Sequence, residues 1–117
     1  MTDITIYHNA RCSNSRGALE LLRERGIEPV IVDYLKEPLT VAELTALVAR
    51  LGVPVRDLLR SKEAVYHELH LGDPGVSERQ LIEAVAAHPV LLNRPIVVTP
   101  KGARLCRPPE LVLDLLP

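Results

Sequence analysis

The sequence contains no tryptophan and no phenylalanine, and three tyrosines are its only aromatic residues. Because 47% of its 117 residues are nonetheless hydrophobic, the core is predicted to consist of leucine, valine, isoleucine and alanine. An excess of charge of one sign is also lacking, since 14 basic and 15 acidic residues give a net charge of −1 and the basic residues form no run. Neither a nucleic acid nor a membrane surface is therefore an expected partner.

Two further absences concern location. Residues 1–9 have neither the charged region nor the apolar region of a signal peptide, and no apolar stretch approaches the length of a membrane span. We therefore expect a cytoplasmic protein. The length is that of one domain, spanning residues 1–117.

Cysteine is scarce, with only Cys12 and Cys106. In the cytoplasm both are expected to be thiols, and any disulfide chemistry is expected to be catalytic rather than structural. The histidines are scattered. Only His67 and His70 are spaced as a pair of ligands could be, and we interpret them as a solvated helix face, so no metal is expected.

The first third of the chain predicts a strand–helix–strand unit. A short apolar run at residues 4–7 is typical of a buried strand, and a helical pattern from Asn14 onward ends at Gly26. A β-branched run at residues 30–34 predicts the second strand. Two strands joined by a helix imply a right-handed crossover and parallel pairing.

The last quarter of the chain predicts a hairpin and a closing helix. The runs at residues 96–99 and 103–106 flank the turn residues Pro-Lys-Gly, and PPELVLDLL at residues 108–116 has the helical pattern, with proline in its first turn.

The middle of the chain predicts helices only. Thr40 with Glu43, and Ser77 with Gln80, have the spacing of a capping box at the start of a helix, and residues 54–72 predict one or two short helices that carry Arg60. The whole order is that of an α/β fold: a thioredoxin-like mixed sheet with helices on both faces and a helical insertion in the middle of the chain.

The segment HNARCSNSR, residues 8–16, places Cys12 between the first strand and the first helix. Unpaired N–H groups and the positive end of the helix dipole favour a thiolate there and also attract oxyanions. An inert core cysteine is the alternative, but the polar neighbours and the exposure expected at such a junction favour a reactive thiol. His8 could hydrogen-bond the thiol or the loop, or be structural, and Arg16 could face an anion or the solvent.

Cys106 ends an apolar strand, which favours a buried, inert side chain over a resolving partner for Cys12. Arg60, Arg94 and Arg107 each interrupt an apolar pattern. Taken singly, each is most simply a surface charge. Taken together, they offer the forked guanidinium groups that bind a tetrahedral oxyanion.

Three segments together resemble the glutaredoxin-coupled arsenate reductases over essentially the whole chain: HNARCSNSRGALELL at 8–22, LLR at 58–60 and LLNRPIVVTPKGARLCRPPELVLDLLP at 91–117. The resemblance implies a thioredoxin-like fold in which Pro95 is the cis-proline. It also implies that Cys12 is the nucleophile, that Arg60, Arg94 and Arg107 bind the oxyanion, and that His8 supports the site. Arsenate is then the substrate, glutathione a co-substrate and glutaredoxin a partner, with no bound cofactor.

Two alternatives stay open. The best-known reductases have C-G-T-S-R where this chain has C-S-N-S-R at 12–16, so a thiol reductase acting on another substrate, such as a glutathionylated protein, is one alternative. The other is a redox-sensing transcriptional regulator that binds RNA polymerase. Such regulators commonly switch through C-x-x-C, and Ser15 at the position of the second cysteine disfavours this alternative.

Overall fold

The computed structural model describes residues 3–116, which form two compact units. The first unit contains residues 3–37 and 94–116, and the second is Pro38–Asn93. The first unit contains, in chain order, β1 (Thr5–His8), α1 (Ser13–Glu24), β2 (Val30–Asp33), β3 (Ile96–Thr99), β4 (Gly102–Leu105) and a closing 3₁₀ helix (Pro109–Leu115).

A four-stranded mixed sheet in the order β2-β1-β3-β4 forms the first unit. β1 pairs with β2 in parallel, with Ile6 opposite Ile31, and pairs with β3 antiparallel, with Ile6 opposite Val97. β3 and β4 form the antiparallel hairpin. The predicted parallel strand–helix–strand unit and the predicted hairpin are therefore confirmed, with β1 and β4 displaced by one residue from the predicted ranges.

The core of the first unit lies between one face of the sheet and two helices. Ile6 and Val97, which are neighbours on that face, are fully buried together with Ala18 and Leu22 of α1 and Val112 of the closing helix. The closing helix is a 3₁₀ helix, so its i to i+3 bonds wind it more tightly than an α-helix. The core is aliphatic, as the composition predicts.

The helical insertion predicted for the middle of the chain is confirmed as the second unit. It contains α2 (Val41–Leu51), α3 (Ala64–Glu68) and α4 (Glu78–Ala87), with short 3₁₀ helices at Val55–Leu58 and Pro89–Leu91. Both predicted capping boxes are present, at Thr40 with Glu43 and at Ser77 with Gln80. Within residues 3–116, no helix combines the length and the apolar character needed to cross a membrane.

One prediction about the insertion is wrong in detail. Arg60 was expected on a short helix, but it lies between the 3₁₀ helix Val55–Leu58 and α3. An isolated bridge between Leu59 and Leu92 extends the backbone at this point, and the N–H of Arg60 donates to the carbonyl of Leu91 at 2.8 Å. A backbone bonded to a distant segment cannot continue the i to i+3 pattern of the preceding helix.

Candidate active site

Cys12 is the residue that joins the loop after β1 to α1. It is the N-cap of α1, with extended backbone angles (φ −93°, ψ 123°). Its N–H donates to the carbonyl of Asn9 at 3.0 Å, and its carbonyl accepts the N–H of Arg16 at 3.0 Å, the first bond of the helix. The sulfur therefore stands beside the unpaired N–H groups of the first helical turn, as the sequence predicts.

The Cys12 side chain is less accessible than the junction predicts, because only 9% of the residue is exposed while Arg11 and Ser13 on either side are exposed. Burial acts to raise the pKa of the Cys12 thiol. The N–H groups of Ser15 and Asn14 and the guanidinium of Arg94 act in the opposite direction and prevail, so the pKa is lowered. Such a shift raises the thiolate fraction at neutral pH.

Two of the three arginines lie at this sulfur. Nη1 of Arg107 donates to the Cys12 sulfur at 3.7 Å and to the carbonyl of Arg94 at 2.8 Å. The carbonyl contact ties the two arginine-bearing segments together, and the Arg94 side chain in turn stabilises the thiolate. The Arg94–Pro95 peptide bond is cis, and so is Arg107–Pro108, which the sequence analysis did not anticipate.

Gly17 is a packing residue that the sequence analysis missed. A Cβ placed on it would lie 3.1 Å from Cγ of Pro109, closer than most real contacts. The absence of a side chain therefore lets the segment that follows Arg107 lie directly against α1, and this helps to bring Arg107 to Cys12.

Arg60 belongs to the other unit, Pro38–Asn93. Its Nε forms a part-buried ion pair with Glu63 at 3.2 Å. Its expected contact with an oxyanion at Cys12 stays a prediction.

His8 is bonded to Ser15 rather than to the thiol. Nδ1 of His8 lies 2.7 Å from the hydroxyl oxygen of Ser15, and both side chains are buried. Burial lowers the pKa of His8, the Asp33 carboxylate opposes this, and the charges of Arg23 and Arg16 add to the lowering. The lowered pKa favours the neutral imidazole form of His8. From the sequence, Ser15 was noticeable only as the residue at the position of the second cysteine of a C-x-x-C motif. The signal that could have found it is a hydroxyl in the first turn of α1, three residues after Cys12.

The remaining two candidates are Arg16, which bonds to the backbone of the loop, and Cys106, which lies in the core. Nη1 of Arg16 donates to the carbonyl of Ala10 at 2.9 Å, so Arg16 braces the loop. Cys106 is fully buried in the core, where burial raises its pKa to about 12. The sequence interpretation of Cys106 as a buried hydrophobic side chain is therefore confirmed.

Within residues 3–116, no three His, Cys, Asp or Glu side chains are grouped so as to hold a metal ion.

Comparison with known proteins identifies the family. The model of the ArsC family matches residues 7–115, which includes both the Cys12 loop and the segment of Arg94 and Arg107. The chain belongs to the ArsC family. The resemblance stated from the sequence is thereby confirmed.

Several relatives of this ArsC-family chain share about half of its residues. An arsenate reductase of Rhizobium meliloti is 52% identical over 97% of this chain and 81% of its own length. An arsenate reductase of Escherichia coli is 50% identical over the whole chain and 83% of its own length. The solved structure of an arsenate reductase from Vibrio cholerae, 47% identical, superposes with a TM-score of 0.93 and covers 97% of both chains. The thioredoxin-like architecture expected from the sequence is thus the fold of this family.

Proposed function

We propose that this ArsC-family protein is an arsenate reductase that uses glutathione and glutaredoxin in the cytoplasm. The observation that carries the proposal is the arrangement of charges at Cys12. The Cys12 sulfur lies 3.7 Å from Nη1 of Arg107, and the guanidinium of Arg94 helps to lower the pKa of the Cys12 thiol. A nucleophile and two permanent cations at one point suit an anionic substrate that reacts with a thiolate.

The proposed binding step uses the arginines and the helix amino terminus. Arsenate is a tetrahedral oxyanion, and the planar forks of Arg94 and Arg107 each offer paired N–H donors to its oxygens. Arg60 is proposed as the third arginine of this set. The same charges stabilise the more crowded arsenic centre that forms when the thiolate attacks, which lowers the barrier of that step.

The proposed chemistry has three thiol steps. The sulfur of Cys12 bonds to arsenic(V), and one arsenate oxygen leaves as water after protonation. A glutathione thiolate then attacks the Cys12 sulfur. The sulfur–arsenic bond breaks with its electron pair on arsenic, which gives arsenite and a Cys12–glutathione disulfide. Glutaredoxin attacks the glutathione sulfur of this disulfide and restores the Cys12 thiolate.

The burial of Cys106 supports an external reductant. A thiol whose pKa is raised to about 12 is almost entirely protonated at neutral pH, and its fully buried side chain gives a slow nucleophile. Position 15 holds serine, so Cys12 also lacks a partner cysteine three residues along the chain. The second thiol of this two-electron reduction is therefore proposed to be glutathione, with His8 supporting the loop through Ser15.

The test is arsenite formation from arsenate by the purified protein with glutathione, glutaredoxin, glutathione reductase and NADPH. Cys12→Ser is expected to abolish turnover, and Cys106→Ala serves as the matched cysteine control that retains it. A wild-type protein that forms no arsenite while its Cys12 is thiolate-reactive would refute the proposal. Release of glutathione from a glutathionylated protein by that same preparation would then favour the other thiol reductase function.

A further inference from the structure

Ser15 stands at the junction of three segments of the first unit. Its hydroxyl oxygen accepts the N–H of Asn9 at 3.0 Å and lies 2.7 Å from Nδ1 of His8, while its own N–H is one of the groups that stabilise the Cys12 thiolate. The side chain is fully buried. One hydroxyl therefore links the end of β1, the loop and the first turn of α1.

The Asn9 contact fixes the loop that carries Cys12. The N–H of Asn9 is bound by Ser15, and its carbonyl accepts the N–H of Cys12 at 3.0 Å. The side-chain oxygen of Asn9 also accepts the N–H of Arg11 at 2.9 Å. Because Ser15 belongs to α1, its bond to Asn9 sets the position of the whole turn, and of the Cys12 sulfur, against the helix.

The hydrogen bonds at Ser15 favour one tautomer of His8. A hydroxyl has one proton, and among the polar partners that residues 3–116 provide, Asn9 N–H can only donate to Ser15. We assign the serine proton to the bond with Nδ1 of His8, because this gives the hydroxyl both a donor and an acceptor partner; the ring is then neutral, with its own proton on Nε2. The charged groups that face His8 are Asp33 on β2 and Arg16 and Arg23 on α1.

We propose that Ser15 is a positioning residue that holds the Cys12 sulfur at the N–H groups of α1, and that His8 reaches Cys12 only through Ser15. The proposal rests on the proposed role of Cys12 as the nucleophile. Its test does not use arsenate, so the two can fail separately.

The test is the pH profile of Cys12 alkylation by iodoacetamide, followed by peptide mass spectrometry. Ser15→Ala leaves the Asn9 N–H and Nδ1 of His8 without their shared partner and loosens the turn, so the midpoint should rise by about one pH unit, the equivalent of one net hydrogen bond to the thiolate. Ser13→Ala is the matched control, because Ser13 lies in the same turn and is exposed, and its midpoint should equal that of the wild type. An unchanged midpoint in Ser15→Ala, or an equal rise in Ser13→Ala, would overturn the proposal.

Two further measurements separate positioning from simple support of the fold. His8→Ala should raise the midpoint of Cys12 alkylation in the wild-type protein. The same substitution should have no added effect in a protein that already contains Ser15→Ala. Equal shifts in the two backgrounds would show that His8 does not act through Ser15. If Ser15→Ala does not fold, the wild-type protein still tests the proposal. The ¹⁵N chemical shifts of His8 should show the proton on Nε2, and a proton on Nδ1 of the neutral ring would contradict it.

Discussion

Replacement of Arg107 by alanine is the sharpest test of the proposed anion site. The variant loses the guanidinium that lies 3.7 Å from the Cys12 sulfur and its bond to the Arg94 carbonyl. A hydrogen bond to a charged group contributes about 1.5–3 kcal/mol. Because Arg107 is exposed to solvent, we expect the lower part of this range, about 1.5–2 kcal/mol. That corresponds to a loss of about 10- to 30-fold in kcat/KM for arsenate.

The assay is steady-state arsenate reduction over a range of arsenate concentrations, with glutathione and glutaredoxin held constant. Arg104→Ala is the matched control, because Arg104 lies three residues away and pairs with Asp114 at the surface, so its kcat/KM should stay at the wild-type value. Arg107→Lys should recover part of the loss, since lysine keeps the charge but cannot offer a planar fork. A wild-type kcat/KM in Arg107→Ala would remove this arginine from the proposed anion site.

Three further predictions concern the thiols. At neutral pH, iodoacetamide should label Cys12 far faster than Cys106, since the pKa of Cys12 is lowered and that of Cys106 is raised to about 12, and comparable labelling of the two peptides would contradict this. Arg94→Ala should raise the pH midpoint of Cys12 alkylation by about one unit or more, because the thiolate loses a cation and a donor; a midpoint that does not move would show that Arg94 leaves the thiolate unaffected. Arsenate and glutathione without glutaredoxin should add the mass of one glutathione to Cys12, and glutaredoxin should remove it, whereas a Cys12–Cys106 disulfide in place of the adduct would count against the proposed cycle.

Most of the fold could be predicted from the sequence, because its signals are local. The capping boxes at Thr40 and Ser77 depend on two side chains three residues apart, and both are formed. The hairpin depends on the short turn between two apolar runs and is also formed. The position of Arg60 could not be predicted in this way, because the backbone there is held by a bridge between Leu59 and Leu92, which are 33 residues apart (92 − 59).

In the candidate site, too, the features that depend on local sequence could be predicted and those that depend on contacts between distant residues could not. The position of Cys12 at the helix amino terminus follows from its place before α1, which is a local property, whereas the guanidinium groups that act on its sulfur, those of Arg94 and Arg107, come from the other end of the chain. The 3.7 Å contact with Arg107 joins residues 95 positions apart, and the close approach of Pro109 to Gly17 that accompanies it leaves no periodic pattern in the sequence.

Ser15 was missed for a different reason. A serine in the first turn of a helix is common, and its importance here comes from partners, Asn9 and His8, that meet it only after the loop has folded back on the helix. The position of Cys12 at the start of α1 is therefore specified by local sequence, but the contacts that stabilise its thiolate are specified by the tertiary structure.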